Sequence, residues 1–337
     1  MIPWQDNHPH INYDESIGRG QIRLLKLLPG PREVPLRTEF ISCQLADRPE
    51  YEALSYVWGS MYSGEQHICV GEQQLSIGPN LASALRTFRQ LDRPRYIWVD
   101  ALCINQMNME EKSEQISQLN EVYQNADNVL VWLGEHDAHS AYGIEAVKYF
   151  VDPTTVAPEA PWLSNFSEAY ATGLKSILER GWWKRIWTVQ EAALAKRVTL
   201  TCGDHQVSWK VDLSTLQRAK FKLKLASTSP EWEGSDFEEV DLLPLIEVVE
   251  SQLREVMEVS SLRLEKDLLD VVYDFRHRHA TYEADKVYAI LNLAEGRRTD
   301  LTKIPGGLRY GSRDHARDLL TRLIGQLYPD VQIAGEL

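Results

Sequence analysis

Three short apolar runs limit the folds open to this chain more than any other feature. Ala53 to Trp58, Tyr96 to Val99 and Val129 to Leu133 are continuous rather than alternating. Successive side chains of a strand point to opposite faces, so a strand with one wet face alternates apolar and polar residues. A run without alternation is buried on both faces, as in a parallel sheet covered by helices on each side. Helical signals separate the runs. Asn80 fits the N-cap of a helix through Leu81, Leu85 and Phe88. Glu110 begins another, with Ile116, Leu119, Val122 and Tyr123 at spacings of three and four. Strand, helix, strand, helix, strand predicts an α/β domain with a mostly parallel sheet.

Additions surround this centre. Ile22 to Leu28 ends at Pro29-Gly30 and can pair with Glu39 to Cys43. His67 to Val70 and Gln74 to Ile77 flank Gly71-Glu72, a hairpin signal. Trp182 to Ala195 reads as one helix, and Val198 to Cys202 turns at Gly203-Asp204 into Val207 to Trp209. His136 to Ser176, with Pro153, Pro158 and Pro161, reads as an insertion that is partly loop. Beyond Leu213, helices are expected over Leu242 to Met257, Leu264 to His277, Asp285 to Leu293 and Leu319 to Leu327, with an acidic, solvated stretch at Pro230 to Asp241. The expected division is a β extension packed on the core (1–48), an α/β domain (49–212) and a mainly helical region (213–337).

Charge and missing motifs exclude several functions. The 337 residues carry 36 Lys and Arg against 49 Asp and Glu, a net charge of −13. Nucleic-acid binding needs a basic footprint, so none is expected. There is no G-x-x-x-x-G-K-[ST], no G-x-S-x-G and no H-E-x-x-H. Cys43, Cys69, Cys103 and Cys202 are widely spaced and form no C-x-x-C. They read as reduced thiols of a cytoplasmic protein, and no metal site is expected. The opening Met1-Ile2-Pro3-Trp4-Gln5-Asp6-Asn7 lacks the basic-then-apolar pattern of a secretory leader. No run approaches the 18 or so apolar residues of a membrane span.

The candidate chemistry gathers where tryptophans meet carboxylates. Trp58, Trp98, Trp132 and Trp209 stand at strand ends, either as core or around a cleft, since α/β sheets bind ligands at strand ends. On the helix read from Trp182, residues Trp183, Trp187 and Glu191 fall at i, i+4 and i+8 and share a stripe. A carboxylate on an aromatic stripe is partly desolvated, which raises its pKa and makes it a candidate acid, base or charge stabiliser. The competing reading has Glu191 snorkel to solvent or pair with Arg185 or Lys184. Asp100 either caps the turn after its strand or binds a ribose hydroxyl. Asn105 and Gln106 either read polar ligand edges or hold a loop. Ser55 and Tyr56 belong to the same sheet end, and no His near Cys103 supports it as a nucleophile.

These segments carry a resemblance. Tyr51-Glu-Ala-Leu-Ser-Tyr-Val-Trp-Gly59 resembles the opening motif of the fungal heterokaryon incompatibility (HET) domain. Tyr96-Ile-Trp-Val-Asp-Ala-Leu-Cys-Ile-Asn-Gln106 resembles its second motif, and Arg180-Gly-Trp-Trp-Lys-Arg-Ile-Trp-Thr-Val-Gln-Glu191 its third. Glu111, Gln115, Tyr123 and Ala126, with Val131 to Gly134, fit the helix and strand between. Asp285-Lys-Val-Tyr-Ala-Ile-Leu-Asn-Leu-Ala294 resembles a downstream segment common in the family. The chain departs from the pattern at Met107, where the family often has Asp, at Lys112, where it has Arg, and at Trp183, where Phe is frequent.

The resemblance implies a role in fungal non-self recognition and programmed cell death. HET domains have been likened to TIR domains, the flavodoxin-like modules of innate immunity. The Trp187-x-x-x-Glu191 spacing is similar to the TIR helix whose Glu is catalytic in NAD-cleaving members. That analogy implies a TIR-like fold, Glu191 as the catalytic residue, and NAD as substrate with no cofactor required. It places Ser55, Tyr56, Trp58, Gly59, Asp100, Cys103, Asn105, Gln106, Trp183, Arg185 and Trp187 around the nucleotide. It also implies a homo-oligomer and an upstream recognition protein. The alternatives are a non-enzymatic module that self-associates and recruits a cell-death partner, or a nucleotide sensor.

Overall fold

The computed structural model describes residues 13, 15–59, 64, 66–152, 159–163, 166–259, 273–280 and 285–289. Nine strands among them form one sheet. They are β1 (Gln21–Leu27), β2 (Leu36–Gln44), β3 (Glu52–Tyr56), β4 (Gln66–Val70), β5 (Gln73–Ile77), β6 (Arg95–Trp98), β7 (Asn128–Trp132), β8 (Arg197–Cys202) and β9 (His205–Lys210). Their order is β5-β4-β2-β1-β6-β3-β7-β8-β9. The centre, β6-β3-β7-β8, is parallel throughout. The three apolar runs are β3, β6 and β7, with β3 and β7 buried on both faces.

The sheet is mixed rather than mostly parallel. Beyond the centre, β2 pairs parallel with β4, but β1 with β2, β1 with β6, β4 with β5 and β8 with β9 are antiparallel. The cause is local. Two-residue turns at Gly71-Glu72 and Gly203-Asp204 join neighbouring strands, and such turns connect only antiparallel partners. Strand β1 lies inside the sheet, between β2 and β6.

The helices are α1 (Pro79–Phe88), α2 (Asp100–Cys103), α3 (Met109–Ser117), α4 (Leu119–Asn125), α5 (Ser140–Val151), α6 (Ser167–Leu178), α7 (Trp187–Ala193), α8 (Leu213–Ser227), α9 (Leu243–Val259) and α10 (Asp285–Tyr288). Several differ from expectation. Gly78, not Asn80, caps α1. The Asn80 amide instead donates to Val57 O at 2.6 Å and accepts from Trp132 Nε1 at 2.8 Å. The helix expected from Glu110 is two helices broken at Gln118, and Asn108 caps the first by accepting from the Glu110 and Glu111 amides. The break is fixed by the Gln118 side chain, which accepts from Gly20 N and donates to Gln21 O.

The His136 to Ser176 insertion lies between β7 and β8, and its described residues carry the paired helices α5 and α6. They cross at Gly143 and Gly173, where a Cβ on Gly143 would collide with the Gly173 carbonyl and lie 2.6 Å from Ile177 Cγ1. The acidic Pro230 to Asp241 stretch exposes Glu233, Asp236, Glu238, Glu239 and Asp241, as expected, but is anchored by its apolar residues. Phe237 and Val240 are buried, and Phe237 packs against Trp162 and Trp232. Residues 264–272 of the expected Leu264 to His277 helix, residues 290–293 and the Leu319 to Leu327 segment lie outside the described residues. Among the described residues, no helix is long and apolar enough to cross a membrane.

Candidate functional site

A cavity of about 380 Å³ opens at the carboxyl ends of β3 and β6. Pockets of this size hold small molecules, and open α/β sheets hold them at strand carboxyl ends. After β3 the chain supplies Val57, Trp58 and Gly59. Gly59 has φ +71°, a left-handed backbone that suits glycine. From the end of β6 and the following turn come Trp98, Asp100, Ile104 and Gln106. Helices α3 and α4 add Lys112, Ile116, Leu119 and Tyr123, and α7 adds Trp187 and Glu191. Arg185 precedes α7, and His279, Ala280 and Asp285 close the wall from downstream.

Glu191 is a buried carboxylate of this cavity, with a relative exposure of 8%. Its Oε2 accepts from the Ser55 hydroxyl. Ser55 Oγ in turn accepts from Trp182 Nε1 at 2.7 Å. An indole N–H only donates, so the Ser55 proton is directed onto the carboxylate. Burial pushes the Glu191 pKa up to about 7, against the lowering effects of the Arg185 charge and the Ser55 and Tyr123 hydroxyls; Asp100 adds to the rise.

Asp100 is the second carboxylate. Its Oδ2 accepts from Trp58 Nε1 at 2.9 Å and its Oδ1 from Ala101 N at 2.7 Å. Burial raises its pKa, with Arg185 and Trp58 opposing. The Arg185 guanidinium donates to Tyr56 O, so it is held at the end of β3 between the two acids. Gln106 donates to Asp100 O at 2.9 Å, but its Oε1 is buried without a partner. Trp98 Nε1, on the same cavity wall, is likewise a buried donor without an acceptor. Such orphaned groups are costly.

The loop carrying Ile104 and Gln106 is fixed from behind. Glu111, fully buried, accepts from Arg23 Nη1 at 3.0 Å, Asn105 N at 2.8 Å, Ser16 Oγ at 3.2 Å and Ile17 N at 3.3 Å. Arg23 also donates to Cys103 O at 2.8 Å and lies 4.1 Å over the Tyr13 ring.

Of the residues singled out in the sequence, Trp58, Gly59, Asp100, Gln106, Arg185, Trp187 and Glu191 line the cavity. Ser55 lies behind Glu191, and buried Tyr56 contributes its carbonyl to Arg185. Trp183 does not share a stripe with Trp187 and Glu191. The expected single helix is a 3₁₀ turn at Gly181–Lys184, an extended residue at Arg185 and then α7. His279 N donates to Lys184 O at 2.6 Å and Ile186 N to His279 O at 2.9 Å, a bridge that holds Arg185 out of helical geometry. Trp183 therefore turns away, donates to Ile177 O at 2.8 Å and lines a separate cavity of about 320 Å³. Cys103 is buried away from the site, its pKa pushed up to about 12 by burial, which removes it as a thiolate nucleophile at neutral pH. Asn105 also stays outside the cavity wall, its Oδ1 accepting from Met107 N at 3.1 Å.

Sequence reasoning missed Lys112, Ile116, Leu119, His279 and Ala280 as site residues. It quoted Tyr123 and Asp285 in motifs without placing them there. Among the described residues, no group of three or more His, Cys, Asp or Glu side chains is arranged to hold a metal ion.

Comparison with known proteins adds context. Residues 51–191 match the family model described as Heterokaryon incompatibility protein (HET). The chain is also 30% identical, over 239 aligned positions, to Heterokaryon incompatibility protein 6, OR allele, of Neurospora crassa. That alignment covers 56% of this chain and 34% of the relative, so the chain spans about a third of that relative's length. No solved structure matches the chain.

Proposed function

Residues 51–191 are a heterokaryon incompatibility (HET) domain, and from that premise we propose that the chain acts in fungal non-self recognition, with a cavity that binds NAD and cleaves its nicotinamide–ribose bond. One observation carries the chemical half of this reading. Glu191 is a buried carboxyl on the wall of a ligand-sized cavity, with a pKa near neutrality and tryptophans beside it. The strand order supports the analogy. Numbered among themselves, the parallel strands β6-β3-β7-β8 run 2-1-3-4, the start of the flavodoxin-like order of a TIR-like fold.

The proposed reaction needs little proton chemistry at the leaving group. The C1′–N bond breaks with its electron pair passing to the nitrogen, so cationic nicotinamide leaves as a neutral molecule. The ribose becomes an oxocarbenium-like cation, as in glycoside hydrolysis. Ionised Glu191 stabilises that cation, water adds at C1′, and a proton is released with ADP-ribose. Trp58 and Trp187 offer faces for the nicotinamide ring. Asp100 and Arg185 set the field around Glu191.

The test is nicotinamide release from NAD by the full chain and by Glu191→Gln. Release by the parent and its loss in the variant supports the reading. No release by a folded parent that still binds NAD moves the function to a nucleotide sensor. No binding at all moves it to a self-associating recruitment module.

A further inference from the structure

The Asp285-Lys-Val-Tyr motif lies well beyond the HET-matched segment, yet Asp285 reaches the same cavity wall and is only 5% exposed. We infer that Asp285 is a ligand-binding carboxylate, paired with Lys112, and that the two take the ribose–phosphate part of a nucleotide. The site is then composite, completed by a strap from the C-terminal region. The ligand class rests on the nucleotide reading above, whereas the strap's part in the site rests on its own geometry.

The strap is built into the site rather than laid over it. His279 forms the two backbone bonds that hold Arg185 extended. Arg278, at 1% exposure, donates to Glu247 Oε2 on α9 at 2.7 and 3.2 Å. It also approaches Thr188 Oγ1 at 3.4 Å, at the start of α7. Residues 278–279 therefore anchor on α9 and fix the backbone of Arg185.

The chemistry of the wall selects the ligand. Asp100, Glu191 and Asp285 are hydrogen-bond acceptors when ionised, and Arg185 and Lys112 are the cations among them. Burial lowers the Lys112 pKa, and the negative charges of Asp285 and Asp100 act against that fall. A bare polyphosphate would meet three carboxylates, and an apolar ligand would desolvate charged groups without bonding to them. A vicinal diol supplies donors for a carboxylate, and an adjoining phosphate suits an ammonium.

The deciding experiment is calorimetric titration of the full chain with ADP-ribose, a ligand that needs no turnover, beside Asp285→Asn and Lys112→Gln. Nicotinamide riboside, which lacks phosphate, is the second probe. The expected result is about a tenfold loss of ADP-ribose affinity in either variant, the scale of one charge-assisted hydrogen bond. Lys112→Gln should leave riboside binding unchanged while Asp285→Asn weakens it, a split that general loosening of the fold would not produce. Equal ADP-ribose affinity in parent and Asp285→Asn overturns the inference, whether or not the parent releases nicotinamide from NAD. Failure of the parent to bind ADP-ribose overturns it as well, and nicotinamide release then judges the cleavage reading separately.

Discussion

Two buried carboxylates flank the loop from Ile104 to Asn108, and they are built in opposite ways. Glu111 receives four donors, from Arg23, Ser16, Ile17 and Asn105, and is not among the residues that line the 380 Å³ cavity. Glu191 receives hydroxyls from Ser55 and Tyr123, feels Arg185 at a distance, and faces a void of about 380 Å³. A carboxylate with its acceptor positions filled is a structural joint. One left under-supplied beside a cavity keeps capacity for a ligand and has a pKa that its surroundings can tune.

The largest expected effect breaks the saturated joint. Arg23→Met removes the cation from Glu111 and leaves its charge buried. Removing one partner of a buried pair costs about 3–5 kcal/mol. Chemical denaturation should show that loss, and hydrogen exchange should rise in the 104–108 loop. A loss below about 1 kcal/mol would mean that Glu111 finds water or protonates easily, and the contrast between the two acids would collapse.

The contrast was only partly visible in the sequence. Unalternating apolar runs gave away β3, β6 and β7, because double burial leaves a mark on every residue of a strand. Glycine turns marked the two hairpins. The order of strands left no such mark, so the antiparallel neighbours of the parallel centre went unseen. The Trp183-Trp187-Glu191 stripe failed because helical periodicity assumes an unbroken helix. What breaks it is a backbone bridge from His279, far along the chain, and no local pattern reports a partner that distant. Asp285 reaches the cavity for the same non-local reason. Glu191 was legible as a carboxylate among tryptophans, but its Ser55 and Trp182 relay required the fold.

The next effect concerns the pH dependence of stability. The folded pKa of Glu191, about 7, lies above its unfolded value, so folding favours the protonated form. The stabilisation this gives is complete below about pH 4 and is lost as pH rises through 7. Glu191→Gln cannot ionise and escapes that loss. Relative to the parent, the variant should gain about 2–3 kcal/mol between pH 5 and pH 8, each pKa unit being worth about 1.4 kcal/mol. Thermal or urea unfolding at the two pH values measures it without any substrate. A constant difference across that range would place the Glu191 pKa near that of an ordinary exposed glutamate.

The smallest effect tests how finely Glu191 is tuned. Ser55→Ala removes the hydroxyl that bonds the charged form, so the Glu191 pKa should move further up. The shift should be about half to one unit, since one such bond contributes about 1 kcal/mol. The variant also strands Trp182 Nε1, which adds about 1–3 kcal/mol of destabilisation at every pH. That second cost is flat in pH, so the two separate cleanly. If the chain cleaves NAD, kcat/KM should rise with pH as free Glu191 ionises, with a midpoint near 7 in the parent and higher in Ser55→Ala. The upper midpoint of the stability gain, the pH near the folded pKa at which Glu191→Gln stops gaining on its background, should shift by the same amount. Agreement between these two midpoints would tie the catalytic carboxylate and the buried one to a single side chain. A midpoint unmoved by Ser55→Ala would mean that burial, Arg185, Asp100 and Tyr123 set the charge of Glu191 without the serine, which would act only as a strut for Trp182.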